Sequence, residues 1–496
     1  MTQLDPRVVV VGTVSPADYP KLGPYSPHLQ YPEAPFSDVS IEENSVYHGF
    51  REVLRSAGLD SSNFGSERWN PLGEYLHEGQ TVLLKPNMVK ESHPRHEEGW
   101  KWVLTHGSLI RAVADYTWIA IGASGRLVIA DAPQTDSSFD QVAELLGLSA
   151  LKDFYAANGR SLDVIDLRRE EWTSKGDVIV ERRVLPGDPQ GNVAFDLGER
   201  SEFVGHPGQG SYYGADYEDS VVNLHHSGGR HEYLIAGSVM ECDAIISIPK
   251  LKTHKKAGVT VSLKNLIGVN GDKNWLPHHT EGAPESGGDE RPVSSQRSQL
   301  ERRVVRALRS ASLRFPTVGP KVFRKVRRLG TPVAGDTGST IRSGNWYGND
   351  TLWRTCLDLN KIALYGTSDG RLRDPELDQQ RTHLVVVDAV ISGEGSGPMD
   401  PDPVSTGWIL FGTHPASVDA ACAWMMGFDP DCIPIVREAF RCSAMRIAFW
   451  EWRDVRLRVD SGEEWPIQEV PSVLIRRFRP HFGWSGHIER RDQPTT

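Results

Sequence analysis

Seven short apolar runs constrain the fold of this chain more than any other feature: Arg7–Val14, Thr81–Asn87, Arg126–Ala132, Leu162–Leu167, Ala244–Lys250, His383–Val390 and Gly407–Thr413. They are rich in Val, Ile and Leu, and they lack the clean apolar/polar alternation of a strand with one wet face. Continuous apolar strands are buried on both faces, and that requires helices above and below the sheet. Ser108–Trp118 and Phe139–Leu148 are patterned as crossover helices. Pro415–Met426 is a third, with Thr413 as candidate N-cap and Pro415 in the first turn. The prediction is an α/β fold: a mostly parallel sheet with helices on both faces, long loop insertions and a basic helical insertion.

At 496 residues the chain is long enough for two to three domains or one large core with insertions. Residues 16–38, 93–102 and 186–230 are rich in Pro, Gly and polar residues and are expected as loops, and His278–Ser298 as a linker. The expected division is an N-terminal strand and extension packing on the core (1–80), the first part of the core (81–277), the linker and basic insertion (278–343), the second part of the core (344–442) and a C-terminal extension (443–496).

No apolar run reaches the roughly 20 residues that span a bilayer. Asp5 precedes the short N-terminal apolar run and no small-residue cleavage site follows it, which argues against a secretory signal. The five cysteines, at 242, 356, 422, 432 and 442, form no C-x-x-C pair. A zinc ribbon, an iron–sulfur cluster and a disulfide framework are therefore not expected, and reduced cysteines in a cytoplasmic protein fit best.

Several runs end on polar residues: Lys85 and Asn87, Asp131, Lys250 and Asp388. Open parallel sheets bind ligands outside the carboxyl ends of their strands, so these five residues are expected along one edge of a common site. Taken singly, each is also an ordinary turn or cap residue. The run ending at Lys250 leads straight into cations and glycines, Lys252, His254, Lys255, Lys256, Gly258, Lys264, Asn265, Gly268 and Gly271. A rigid strand, close backbone approach at glycine and clustered cations are what an anion site needs. His254, among lysines that favour its neutral form, is the expected base. Lys250, Lys252 and Lys264 are expected to clamp carboxylate or phosphate oxygens, and Asn265 to donate to an oxyanion. The Gly268–Asp272 stretch can present backbone N–H groups. Gly393, Gly395 and Gly397 surround Glu394, which suggests backbone pressed against a ligand or another loop. Glu394 can pair with a lysine, ligate a metal or serve as a second acid–base group. Asp419 can favour the dipole of its own helix.

No nucleotide fingerprint is present, so NAD, FAD and ATP chemistry are not favoured. His225, His226, His231, His278 and His279 lie in expected loops without metal-ligand spacing. Trp346, Tyr347 and Trp353 beside Asn349 and Asp350 suit sugar faces and hydroxyls, as do Trp100, Trp102, Tyr212 and Tyr213 in polar loops; all are equally ordinary as packed lids.

Residues 291–330 hold twelve Lys/Arg and one acid, a local charge of +11 in a chain of net charge −10. Apolar positions at helical spacing (Val304, Leu308, Ala311, Phe315; Val322, Val326, Leu329) describe two basic amphipathic helices. They can lie on an anionic membrane surface, grip a phosphorylated substrate or simply be solvated. Nucleic acid is not an expected partner, because the rest of the chain is acidic and no aromatic-interleaved basic module occurs.

Read in order, KPNMV (85–89), a helix beginning near Gly107, IADAP (129–133), IPKLKTH (248–254), VSLKNLIG (261–268), VVVDAVISGEGSGP (385–398) and HPASVDAACAWMMGFDP (414–430) resemble the family catalogued as domain of unknown function 362, across roughly residues 80–440. The stretch GNWYGNDTLWRTCLDLN (344–360) is similar to a longer form met near bacterial surface-polysaccharide genes, a setting the resemblance implies. Many relatives carry ferredoxin-type cysteine motifs; this chain has none. The expected function is an enzyme acting on a small anionic, sugar-like metabolite, with proton transfer next to a carbonyl or carboxylate as in isomerases and epimerases. A non-catalytic anion-binding or membrane-assembly protein and a metal-dependent redox protein are the alternatives.

Overall fold

The computed structural model describes residues 3–21, 23–175, 178–214, 219–293, 341, 343–375, 379–442 and 444–491. The basic segment 291–330, apart from Arg291, Pro292 and Val293, lies outside the described residues.

The main sheet holds eleven strands. They are β1 (Val8–Thr13), β2 (Thr81–Pro86), β3 (Arg126–Asp131), β4 (Ser161–Asp166), β5 (Ala244–Ile248), β6 (Lys250–His254), β7 (Gly258–Thr260), β8 (Thr382–Ser396), β9 (Asp400–Gly412), β10 (Arg456–Val459) and β11 (Glu464–Pro466). Their order is β11-β10-β1-β9-β8-β5-β2-β3-β4, with β6 laid along the far half of β8 and paired to β7. The block β8-β5-β2-β3-β4 is parallel throughout. β9 runs antiparallel between β8 and β1, and β1 is parallel to β10.

The pleat sends alternate residues to opposite faces, and both faces are buried. Val82, Leu84, Leu127, Ile129, Ile246 and Val386 pack under α1 (Ser45–Ser56) and α2 (Gly107–Ile121). Leu83, Val128 and Ile245 pack against α4 (Leu352–Tyr365), and Val9, Val385 and Leu410 against both α4 and α5 (Pro415–Met425). The single turn α3 (Ser262–Asn265) precedes α4, and shorter helices at Phe139–Leu145, Leu148–Ala157, Asp219–His225 and Gly237–Glu241 lie between α2 and α3, so the helix expected at Phe139–Leu148 is two. The expected mostly parallel α/β sheet is therefore present.

Three strand assignments change. Ala244–Lys250 is not one strand: Pro249, without an N–H to donate, separates β5 from β6. The cation-rich stretch after it is accordingly a β-hairpin, Lys252 facing Thr260 and His254 facing Gly258. The strand expected at His383–Val390 runs on through the glycines as the outer half of β8, paired with β9 from Ile391 to Ser396. Within the expected loops lie further short ribbons, Asn192–Asp196 with Glu232–Ala236 and Tyr212–Gly214 with Pro277–Thr280.

The chain runs β2, β3, β4 outward on one side of β2 and returns to place β5 on the other side. Strand order thus reverses between β2 and β5, and open α/β sheets bind their ligands at the carboxyl ends of the strands at such a point.

Candidate functional site

Lys85 and Asp131, at the carboxyl ends of β2 and β3, form an ion pair of 2.7 Å with Lys85 fully buried. Asp131 also accepts from the N–H groups of Met88 (2.7 Å) and Ala132 (2.8 Å). Asn265 donates to the Lys85 carbonyl (2.7 Å) and the Ser247 hydroxyl (3.1 Å), bridging the two strands on either side of the reversal. Gly268 lies on this pair: a Cβ there would overlap Asp131 Oδ1 and stand 2.9 Å from Lys85 Nζ. Burial lowers the Lys85 pKa, against the pull of Asp131.

A second buried pair, Lys250–Asp388 (3.2 Å), is tied by Tyr19, which receives a hydrogen bond from Lys250 (2.5 Å) and donates one to Asp388 (2.6 Å). The His106 N–H donates to the same carboxylate, and the His106 ring is stacked between Tyr19 and Trp100. Burial brings Lys250 down to about 8, with Asp388 opposing the shift. Both partners are fully buried and mutually satisfied, so Asp388 closes the floor rather than facing a ligand.

Between these pairs stand lysines without counter-ions. Lys252 is fully buried and donates to the Val103 carbonyl at 2.5 Å. Lys264, half-buried in α3, makes no hydrogen bond or ion pair among the described residues. Lys264 is an electrostatic hub: Lys252, His254, Lys256 and His278 all feel its charge, and it feels Lys85, Asp131 and Cys356. Burial, then Lys250 and Lys264, hold Lys252 well below the ordinary lysine range. Burial lowers Lys264 too. Lys256, bonded to the Ser343 carbonyl, falls to about 7 through burial and its neighbour Lys255.

Two histidines share this field in opposite tautomers. His254 Nδ1 accepts from the N–H groups of Lys256 (3.0 Å) and Ala257 (3.1 Å), so the neutral ring carries its proton on Nε2. His278 Nδ1 donates to the Leu276 carbonyl (3.0 Å), so its Nε2 is the bare nitrogen. Burial, then Lys264, keeps both neutral: His254 lies well below the usual imidazole value and His278 at about 3. Sequence reasoning assigned His254 as the base; its geometry makes it a donor. His278, expected in a loop, lies in a short strand, Pro277–Thr280. No residue pattern marks it, because its tautomer is set by a carbonyl only two residues away.

Other expected ligands serve the framework. Glu394 is bound to Arg479, accepting from its N–H (2.9 Å) and facing its guanidinium (3.6 Å), and does not join a lysine. Gly395 lies 2.9 Å, at its would-be Cβ, from that guanidinium, and Gly397 packs on the Thr253 backbone. The glycines thus admit neighbouring chain, not a ligand. Gly271 gives way to Asn192 in the same sense. The Asn87 side chain closes a local turn onto Val89 N (3.3 Å). Asp419 caps not its own helix but α3, accepting from Ser262 N (2.9 Å) and Leu263 N. Trp346 and Trp353 donate to Asp289 and Asp350, and Tyr213 stacks on His279, so these rings are committed to packing. Among the described residues no group of three or more His, Cys, Asp or Glu side chains is arranged to hold a metal ion, and no helix is long and apolar enough to cross a membrane.

Comparison with protein families matches residues 178–424 to a domain of unknown function (DUF362). That span contains β5 to β9, both unpaired lysines and both histidines. No match to a curated protein is found.

Proposed function

The chain belongs to the DUF362 family, and we propose that this member is an enzyme that binds a small anionic metabolite, carboxylate or phosphate, and moves a proton on it as isomerases and epimerases do. Lys252 and Lys264 hold the anion; His278 Nε2 takes the proton and His254 Nε2–H gives one. A cytoplasmic setting and a sugar-like substrate of polysaccharide assembly accompany this reading. The observation that carries it is the opposite tautomers of His254 and His278 around one cationic hub. An acid–base pair needs one bare and one protonated nitrogen at the same pH, and local backbone hydrogen bonds supply that here. Burial and the lysines weaken His278 as a base. A bound anion offsets their field and strengthens it, so proton abstraction is coupled to binding.

The test is hydrogen exchange into bound ligands. Hydroxy acids and sugar phosphates that raise the melting temperature are incubated with the protein in D2O and followed by proton NMR. Loss of the signal from a C–H next to the carbonyl or carboxylate is expected, and His278→Gln and His254→Gln should each slow it by about 10²–10⁴-fold. Ligands that bind without any exchange, or exchange that survives both substitutions, would refute proton transfer at this pair.

A further inference from the structure

Resting on that anion-site reading, we infer that the ligand is a doubly charged oxyanion, taken up together with a proton. The argument is a charge inventory. Lys85 and Lys250 are matched one to one by Asp131 and Asp388. Lys252 and Lys264 have no carboxylate within ion-pair distance among the described residues. Lys252 faces Lys250, Lys264 and, more distantly, Asp131. Lys264 faces Lys85, Asp131, Cys356, Lys252, Lys256, His254 and His278. Lys256 is offset by Asp289 and Glu290 and is not part of the deficit. Glu290 also pairs with Arg291 (2.6 Å), and Asp289 is anchored by the Thr351 hydroxyl (2.7 Å) and backbone N–H groups. Lys252 and Lys264 therefore carry two positive charges without a matching carboxylate among the described residues.

A buried ammonium without a counter-ion sheds its proton. Burial and the neighbouring Lys250 and Lys264 accordingly favour the neutral amine at Lys252, bonded to the Val103 carbonyl. A dianion reverses the balance: its two charges make the ammonium form favourable at both lysines, and the missing proton comes from solvent. A monoanion meets only one lysine and leaves Lys252 neutral. His254 Nε2–H adds a neutral donor to the same oxygens. A phosphate monoester and a dicarboxylate share this chemistry.

The experiment is isothermal titration of the full chain with sulfate, succinate and acetate between pH 7 and pH 9, in two buffers of different ionisation enthalpy. Sulfate separates a tetrahedral dianion from the planar carboxylates and stays doubly charged throughout. Uptake of one proton makes the affinity of a dianion fall about tenfold per pH unit. The expected result is that behaviour for sulfate or succinate, with acetate at least tenfold weaker at pH 7. Lys252→Met, which replaces the amine by an apolar chain of similar length, should remove the pH dependence and most of the affinity, as should Lys264→Gln, with thermal unfolding of both variants confirming that they are folded. Acetate binding as tightly as both dianions, or dianion binding that does not change with pH, overturns the inference while leaving an anion site in place. No binding of any of the three, with the variants indistinguishable from wild type, overturns the inference and the anion-site reading together.

Discussion

Substituting Asp131 by Asn tests the energetics on which the site floor rests. The carboxylate holds Lys85 Nζ at 2.7 Å and accepts two backbone N–H groups. Among the described residues Lys85 otherwise has neutral acceptors, the Pro86 carbonyl at 2.8 Å and Asn265 Oδ1 at 3.5 Å. Removing one partner of a buried ion pair costs about 3–5 kcal/mol. The amide also turns a donor toward Met88 N–H or toward Lys85, for about another 1 kcal/mol. Proton loss sets a ceiling on the Lys85 share. A lysine of ordinary pKa near 10.4 in the unfolded chain can be neutralised at pH 7 for about 5 kcal/mol, since one pKa unit is about 1.4 kcal/mol. The sign follows from proton counts. With Lys85 neutral in the folded variant and charged in the unfolded chain, unfolding binds a proton, so stability rises with pH until about 10.4. Asp131→Asn should therefore cost about 4–6 kcal/mol at pH 7 and recover about 3 kcal/mol by pH 9. Lys85→Met, which leaves Asp131 with its two N–H donors, should cost less at pH 7. Denaturant unfolding of the three proteins at both pH values measures this. A cost below about 1 kcal/mol at pH 7, or one independent of pH, would refute the reasoning.

Other expectations are more local. Gly268→Ala should destabilise by about 1–3 kcal/mol, because the new methyl group overlaps Asp131 and crowds Lys85; thermal unfolding that matches wild type would contradict this packing. Nitrogen-detected NMR should find His254 with its proton on Nε2 and His278 with its proton on Nδ1, neither titrating between pH 5 and pH 8; a titration of His278 near pH 6.5 would remove the tautomer argument. Glu394→Gln should leave anion binding unchanged and cost no more than about 1 kcal/mol, since its partner Arg479 is largely exposed; loss of binding would return Glu394 to the site. His383 is buried with neither ring nitrogen bonded and held at about 3, chiefly by burial and then by His414. Its unfolded form takes up a proton below about 6.5, so stability should fall as pH drops from there toward 3. His383→Phe should flatten that fall, and an unchanged acid limb would place the lability elsewhere.

The parallel core was readable because its strands are buried on both sides, and continuous Val/Ile/Leu runs are what such burial selects. The edge strands were not: RLRV at 456–459 carries two arginines, and EWP at 464–466 has three residues. The outer half of β8 was hidden by its glycines, which ordinarily count against a strand and are used here so that Thr253 and Arg479 can lie close. For the site, strand-end polarity singled out Lys85, Asp131, Lys250 and Asp388 one by one, but not that they join as two buried ion pairs. What composition could not separate was a lysine with a counter-ion from one without, because each counter-ion comes from a strand distant in sequence. Nor could it separate a donor histidine from an acceptor, a matter of which ring nitrogen meets the backbone.

The pairing of β1 has a consequence for how the molecule is made. Among the described residues its four consecutive valines, Val8–Val11, find their strand partners at Leu410 and Phe411 on one side and at Arg456–Val459 on the other. At translation rates of about 5–20 residues per second, that strand waits roughly 20–80 s for the first of them. During that interval a sticky, β-prone segment is displayed on the nascent chain, so holding it apart from its like on adjacent ribosomes is a task for chaperones, and yield should respond to their supply more than to any change at the cationic crevice.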